Sequence, residues 1–242
     1  MSGHSRWHQI RHQKALTDSK RGHLFSKMAR LITVVAKEGG PDPEANFKLR
    51  QTIAQAQSMG LPKDNIERAI ERSRGGGEGD AFSEVEYEAY GPGGSAFLIS
   101  GLTDNTNRTT NEVKRILNDH DGRLAESGSV AWLFARRVIM EFDVPLRDTE
   151  DTELNLIDAG AEDTILNGGR LAAVISPEKA ESFERALKTK NLNPSSSTFA
   201  AVAKNSVVLD TKTRTKVDAM VEALEDHPDI NSVSTNIADE DI

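Results

Sequence analysis

The 242-residue sequence has no cysteine, two tryptophans, two tyrosines and an aromatic content of 5%. The missing cysteine excludes disulfides, thiolate catalysis, Cys-ligated zinc and iron–sulfur clusters, and it suits a reducing compartment. The shortage of aromatics argues against a sheet paved with rings for stacking bases. The one aromatic-rich stretch, Trp132 to Phe142, does not match the RNA-recognition strand pattern. No apolar run is long enough to cross a bilayer. The N-terminus is charged but has no apolar core segment and no small-residue cleavage site, so neither a signal peptide nor a membrane partner is expected, and a cytoplasmic location is. Also absent are the phosphate-loop ending, GxGxxG after a strand, GxSxG, HExxH and an EF-hand loop.

What the chain does have is charge, unevenly spread. The formal net charge is −8. Residues 1–79 hold 14 Lys and Arg against 8 Asp and Glu, a net of +6, and residues 80–242 hold 16 against 30, a net of −14. Residues 1–37 carry eight basic side chains and one acid, Asp18, together with four of the six histidines. Such asymmetry points to a polyanion-binding end. The competing reading is that the basic end docks on the acidic remainder of the protein or of a partner.

The hydrophobic pattern predicts helices first. One is expected over residues 5–15. A second, from about Lys20 to Glu38, places Leu24, Phe25, Met28, Leu31, Ile32 and Val35 on one stripe and Lys27, Arg30 and Lys37 opposite it, facing water. Asp42-Pro43 reads as the start of a third helix and Pro62 as the start of a fourth. A Gly-rich linker follows over 73–79. The pattern then turns to strands. Residues 84–90 and 96–102 read as strands, with Glu84, Glu86 and Glu88 on one solvated face. Thr109 to Glu112 reads as a capping box before a helix, and Val130–Phe134 as a strand. Strand, helix, strand, strand, helix and strand are expected in turn over 137–203, a split-βαβ, ferredoxin-like order. A helix over 213–225 and a strand over 230–235 close the chain.

The expected fold class is therefore multi-domain α+β. A basic helical bundle over 1–80 precedes two α+β, ferredoxin-like lobes, the third inserted in the second: 81–135 plus 205–242 form a discontinuous domain, and 136–204 the inserted βαββαβ unit.

The candidate site is the basic helix pair. Arg6, Arg11, Lys14, Lys20, Arg21, Lys27 and Arg30 are candidates for phosphate contacts, with His4 and His12 beside them. Trp7 lies among cations and suits base stacking, or else anchors its helix to the bundle. His4, His8 and His12 recur every four residues, but His4 and His12 would lie about 12 Å apart on a helix and cannot share one ion. No metal or cofactor is expected. Asn107, Arg108 and Thr109 are a candidate second anion site at a helix start, or else a local loop network.

Several stretches carry a family resemblance. They include His4-Ser5-Arg6-Trp7, Ile10-Arg11-His12, Lys20-Arg21-Gly22, residues 62–70, Tyr90-Gly91-Pro92-Gly93-Gly94, Asn107-Arg108-Thr109, residues 129–134, Ala159 to Asp163 and Ala223 to Asp226. In order and spacing, over essentially the whole chain, the sequence resembles the YebC/PmpR family. The resemblance implies a three-lobed, cytoplasmic, non-enzymatic regulator of gene expression that binds DNA. The related mitochondrial protein is a translational activator, so ribosomal RNA or the ribosome is the alternative target that the resemblance implies. Gln13 and His23 replace basic residues found in many relatives, and no Tyr occurs near Ser234-Thr235-Asn236. Two further readings rest on the residues alone. One is a scaffold binding protein partners through its acidic lobes. The other is an enzyme with a polar cleft near Arg108, Glu126 or His120.

Overall fold

The computed structural model describes residues 18–75, 82–167 and 170–238. These form two compact units. The first takes its described residues from 1–30, 76–135 and 201–242, and the second from 31–75 and 136–200.

The long helix α1 (Asp18–Gly39) ends where Gly40 adopts a φ of 95°. Met28, Ile32, Val35 and Ala36 on its apolar stripe are buried. On the opposite face Lys37 is exposed, as expected, but Lys27 and Arg30 are not. Lys27 and Arg30 are half-buried, because they meet acids and carbonyls described below.

In the second unit, helix α2 (Phe47–Ser58) starts later than Asp42-Pro43 suggests. Asp42 instead closes a turn, its carbonyl accepting from the Asn46 N–H at 2.9 Å. Asn46 is the N-cap, its side chain accepting from the Leu49 N–H at 3.0 Å. Helix α3 (Lys63–Arg74) follows Pro62 and takes in Ser73 and Arg74 from the expected linker.

The first unit holds a four-stranded sheet whose strands lie side by side in the order Arg123–Leu124, Ser83–Tyr90, Ala96–Thr103 and Ile230–Thr235. Strand β1 (Ser83–Tyr90) pairs with β2 (Ala96–Thr103) along its whole length. Helix α4 (Thr106–Asp119) lies between β2 and the short β3 (Arg123–Leu124). Its N-cap is Asn105, whose side chain accepts from the Arg108 N–H. Thr109 therefore lies inside the helix and does not open it, so the capping-box reading is corrected. Residues 130–134 are corrected too. Ala131–Leu133 form a 3-10 turn, and the strand begins only at Phe134.

Strand β4 (Phe134–Asp143), helix α5 (Thr149–Ala159), β5 (Asp163–Asn167), β6 (Arg170–Ile175), helix α6 (Ala180–Thr189) and β7 (Ser196–Ala203) read βαββαβ in chain order. Their sheet has the order β5-β6-β4-β7, and β6 runs antiparallel to both of its neighbours. Val138, Met140, Phe142, Leu156, Leu171, Phe183 and Leu187 fill the core between sheet and helices. Helix α7 (Thr211–Glu225) and β8 (Ile230–Thr235) return to the first sheet, where β8 pairs antiparallel with β2. Phe97, Ile99, Val113, Leu117, Val217, Met220 and Leu224 form that unit's core.

The fold class is thus α+β, with two four-stranded antiparallel sheets among the described residues. One strand face departs from expectation. Glu84 and Glu86 are exposed, but Glu88, on the same face, is buried. Its carboxylate accepts N–H groups from Gly128, Val130 and Ala131, a loop that covers only this end of β1.

Candidate nucleic-acid interface

Six candidate residues, His4, Arg6, Trp7, Arg11, His12 and Lys14, lie outside the described residues. The other four sit on α1. Lys20, Lys27 and Arg30 are spaced i, i+7 and i+10, so they share an arc of about 80° at ~100° per residue. That arc meets the C-terminal end of α7. Lys20 Nζ lies 3.2 Å from Glu222 Oε1 and 3.0 Å from Asp226 Oδ2. Lys27 Nζ donates to the Glu225 carbonyl at 2.5 Å. Arg30 reaches the Pro228 carbonyl at 3.4 Å and Asp229 Oδ1 at 3.6 Å, and its guanidinium lies 5.2 Å from the centre of the Phe82 ring. Arg21 is exposed on the same helix.

The chemistry of this seam follows from helix ends. The last carbonyls of a helix lack intrahelical donors and carry the negative end of its dipole. Ammonium groups satisfy both needs. Burial lowers the Lys27 pKa to about 8, against attraction from Glu225, Asp226 and Asp229 that only partly restores it. At the exposed end, hydrogen bonds to Asp226 and Glu222 raise the Lys20 pKa. Three of the candidate phosphate-binding cations thus already have anionic or carbonyl partners within their own unit.

The second candidate anion site has a resident anion. Arg108 Nη2 lies 2.7 Å from Asp229 Oδ2 and 2.8 Å from Asp104 Oδ1. The Thr109 hydroxyl donates to Asp229 Oδ2 at 2.7 Å, and the Thr103 hydroxyl lies 3.2 Å from it. Asp229 is buried. Burial pushes its carboxyl up, but the hydrogen bonds from Thr109, Arg108 and Thr103 together outweigh this and leave its pKa below the usual range. The Asp229 N–H donates to His227 Nδ1 at 3.1 Å, and His227 Nε2 lies 2.8 Å from Glu112. Asn107 is exposed beside this network. Arg108 and Thr109 thus take part in a local hydrogen-bond network around Asp229. Asp229 itself escaped sequence reasoning. Its only signal was position, two residues beyond His227 in the turn before a strand.

His120, named for a catalytic cleft, lines a shallow recess of about 480 Å³ with Asp119, Asp121, Lys212, Thr215, Lys216 and Ala219. Asp121 and Lys216 are paired there at 2.6 Å, and His120 Nδ1 lies 2.9 Å from the Ile116 carbonyl. Glu126 is exposed on the loop that Glu88 holds. Among the described residues no group of His, Asp and Glu is arranged to hold a metal ion, and no helix is long and apolar enough to cross a membrane.

These features define a class: an α+β chain with two antiparallel sheets and a basic helix near its N-terminus. Residues 5–76 match the description "TACO1/YebC protein N-terminal domain", and residues 82–237 match "TACO1/YebC second and third domain". The chain belongs to the TACO1/YebC family. A relative from Halothermothrix orenii is 43% identical over 239 residues, covering 98% of this chain and 94% of its own. Another from Natranaerobius thermophilus is 41% identical, covering 98% and 96%. Both bear the name "Probable transcriptional regulatory protein". The crystal structure of a conserved hypothetical protein from Aquifex aeolicus is similar, with a TM-score of 0.86, 38% identity and 98% coverage of each chain.

Proposed function

We propose that this protein is a non-enzymatic regulator of gene expression that contacts DNA phosphates through its basic N-terminus. The observation that carries this reading is the charge asymmetry: net +6 before residue 80 and −14 after it, in a chain whose relatives are named as transcriptional regulators. The pairing of Lys20, Lys27 and Arg30 with acids and carbonyls sharpens the assignment. Phosphate contacts then fall to Arg6, Arg11 and Lys14, with His4, His12 and Trp7 beside them. The seven candidate cations together would give about six neutralised phosphates and a slope of log K against log[salt] near −5 on duplex DNA. Three phosphates give a slope of about −3.

Fluorescence-anisotropy titrations of duplex DNA between 50 and 200 mM salt measure this slope. A value near −3 that flattens when Arg6, Arg11 and Lys14 are all changed to Ala supports the reading. A salt-independent affinity overturns it. The same phosphate contacts carry no base information. Co-sedimentation with ribosomes, set against retention on promoter DNA at the same salt, separates a translational role from a transcriptional one. Loss of DNA binding with retained ribosome binding would move the contacts to ribosomal RNA.

A further inference from the structure

Outside the α1–α7 seam, one aromatic ring of the first unit is strongly exposed among the described residues. Trp132 is 64% exposed. Its neighbours are not: Val130 and Phe134 are buried, and Ala131 and Leu133 pack against the same apolar cluster with Ala96, Leu98 and Ala203. The turn that carries it is held from beneath by the Glu88 carboxylate, which accepts three consecutive-loop N–H groups. Burial pushes this carboxyl up, but the N–H groups of Val130, Gly128 and Ala131 together outweigh it and hold the pKa below the usual range, so the anchor stays ionised. The ring itself is oriented. Trp132 Nε1 donates to the Ser129 carbonyl at 3.0 Å, and the Tyr90 hydroxyl donates to the same oxygen at 3.2 Å.

Two cations lie close to the residues of this turn. Lys204 Nζ donates to the Trp132 carbonyl at 2.7 Å. The Arg123 guanidinium lies 5.3 Å from the centre of the Tyr90 ring. Lys204 and Arg123 are exposed, and the exposed acid on the loop is Glu126.

We propose that Trp132 is a stacking platform for an unpaired nucleobase, with Lys204 and Arg123 meeting the adjoining phosphates of a single strand. An oriented, exposed indole flanked by cations is what sequence-tolerant recognition of single-stranded nucleic acid requires. A protein partner would need the ring to sit inside a wider apolar patch. Here the other large apolar side chain exposed in this unit, among the described residues, is Val208. In a duplex the bases are stacked on one another, so this platform is silent toward duplex DNA. The site is separate from residues 4–14, and its test does not depend on theirs.

The experiment uses the full chain with Trp7→Phe, which leaves Trp132 as the single indole. Its fluorescence is followed during titration with a twelve-nucleotide oligouridylate, the matching oligothymidylate and a twelve-base-pair duplex. The single strands quench the emission and the duplex does not. Trp132→Ala, made in the parent chain and followed by anisotropy of a labelled strand, weakens single-strand affinity roughly 5- to 100-fold and leaves duplex affinity unchanged. Trp132→Phe keeps most of the affinity, Lys204→Ala lowers it, and Glu126→Gln raises it. If Trp132→Ala fails to fold by circular dichroism, Trp132→Phe, Lys204→Ala and Glu126→Gln decide the matter. A bound single strand that leaves the emission unquenched overturns the proposal. So does equal single-strand affinity in Trp132→Ala, an equal loss toward strand and duplex, or a protein partner lost by Trp132→Ala while the oligonucleotide titrations coincide.

Discussion

Lys27 is a cation held where a cation is costly. Burial lowers its pKa from 10.5 to about 8, while its ammonium caps the Glu225 carbonyl. Between pH 8 and 10.5 the unfolded chain binds this proton more tightly than the folded one. Stability from this group therefore rises as pH rises through that window, and the penalty is fully present below it. The shift corresponds to about 3 kcal/mol at the ~1.4 kcal/mol per unit expected, and loss of the hydrogen bond in a variant returns about 1 kcal/mol of that. Lys27→Met should raise the urea midpoint at pH 7 and abolish the gain between pH 8 and 10.5. A variant that is less stable at pH 7 and keeps the alkaline gain would contradict this account. Residues of this kind were the least legible in the sequence. Lys27 and Arg30 read as a solvated face because helical spacing places them opposite the apolar stripe. Their partners lie about 200 residues away along the chain. Glu88 was misread for a related reason. Alternation puts it on one face with Glu84 and Glu86, but alternation says nothing about which part of a face a distant loop will cover.

At the scale of elements, β2 shows how closely backbone can approach backbone. The register between β2 and β8 shifts at Ser100/Gly101. A Cβ at Gly101 would lie 2.1 Å from the Asp229 carbonyl oxygen, the same oxygen that accepts the Leu102 N–H at 2.8 Å. Only glycine fits there. Gly101→Ala must push β8 and the Asp229 turn away, at a cost of about 3 kcal/mol, and should lower the denaturant midpoint without changing the slope. An unchanged midpoint would show that the turn gives way freely. Most elements were legible. α1, α7 and β8 have clear stops, and their bounds fall within a few residues of expectation. The start of α4 was missed because Thr109-x-x-Glu112 imitates a cap four residues inside the true one, Asn105. The start of α2 was missed because Asp42 and Asn46 are both good caps, and only the turn between them decides. Residues 130–134 are a short apolar run like a buried strand, yet the Glu88 carboxylate takes the Val130 and Ala131 N–H groups and a turn forms.

For the whole molecule, stability against pH should have two slopes. Glu88 and Asp229 both titrate below their ordinary values in the folded state. They contribute stability that is fully present above the unfolded carboxylate values near 4 and is lost as pH falls below them. Thermal unfolding followed from pH 3 to 10.5 should therefore rise steeply through the acid limb, level off, and rise again above pH 8. Glu88→Gln should flatten part of the acid limb, and an acid limb identical to the parent's would count against the anchoring role of this carboxylate. The α+β class and the family resemblance were legible because both rest on order and spacing along the chain. The seam between α1 and α7, by contrast, exists only once residue 20 meets residue 226.

The pairing of β2 with β8 also has a consequence in time. Phe97 faces Thr235 across that ladder, whereas the β5-β6-β4-β7 sheet has all its strands once residue 203 is made. At 5–20 residues per second of synthesis, β2 waits roughly 7 to 26 s for its last neighbour. During that interval a mostly apolar strand keeps one hydrogen-bonding edge uncovered, open to chaperones or to a second nascent chain. The C-terminal strand is thus the step that closes this window, and a ribosome that stalls before residue 230 would release a chain whose first sheet still has an edge to offer.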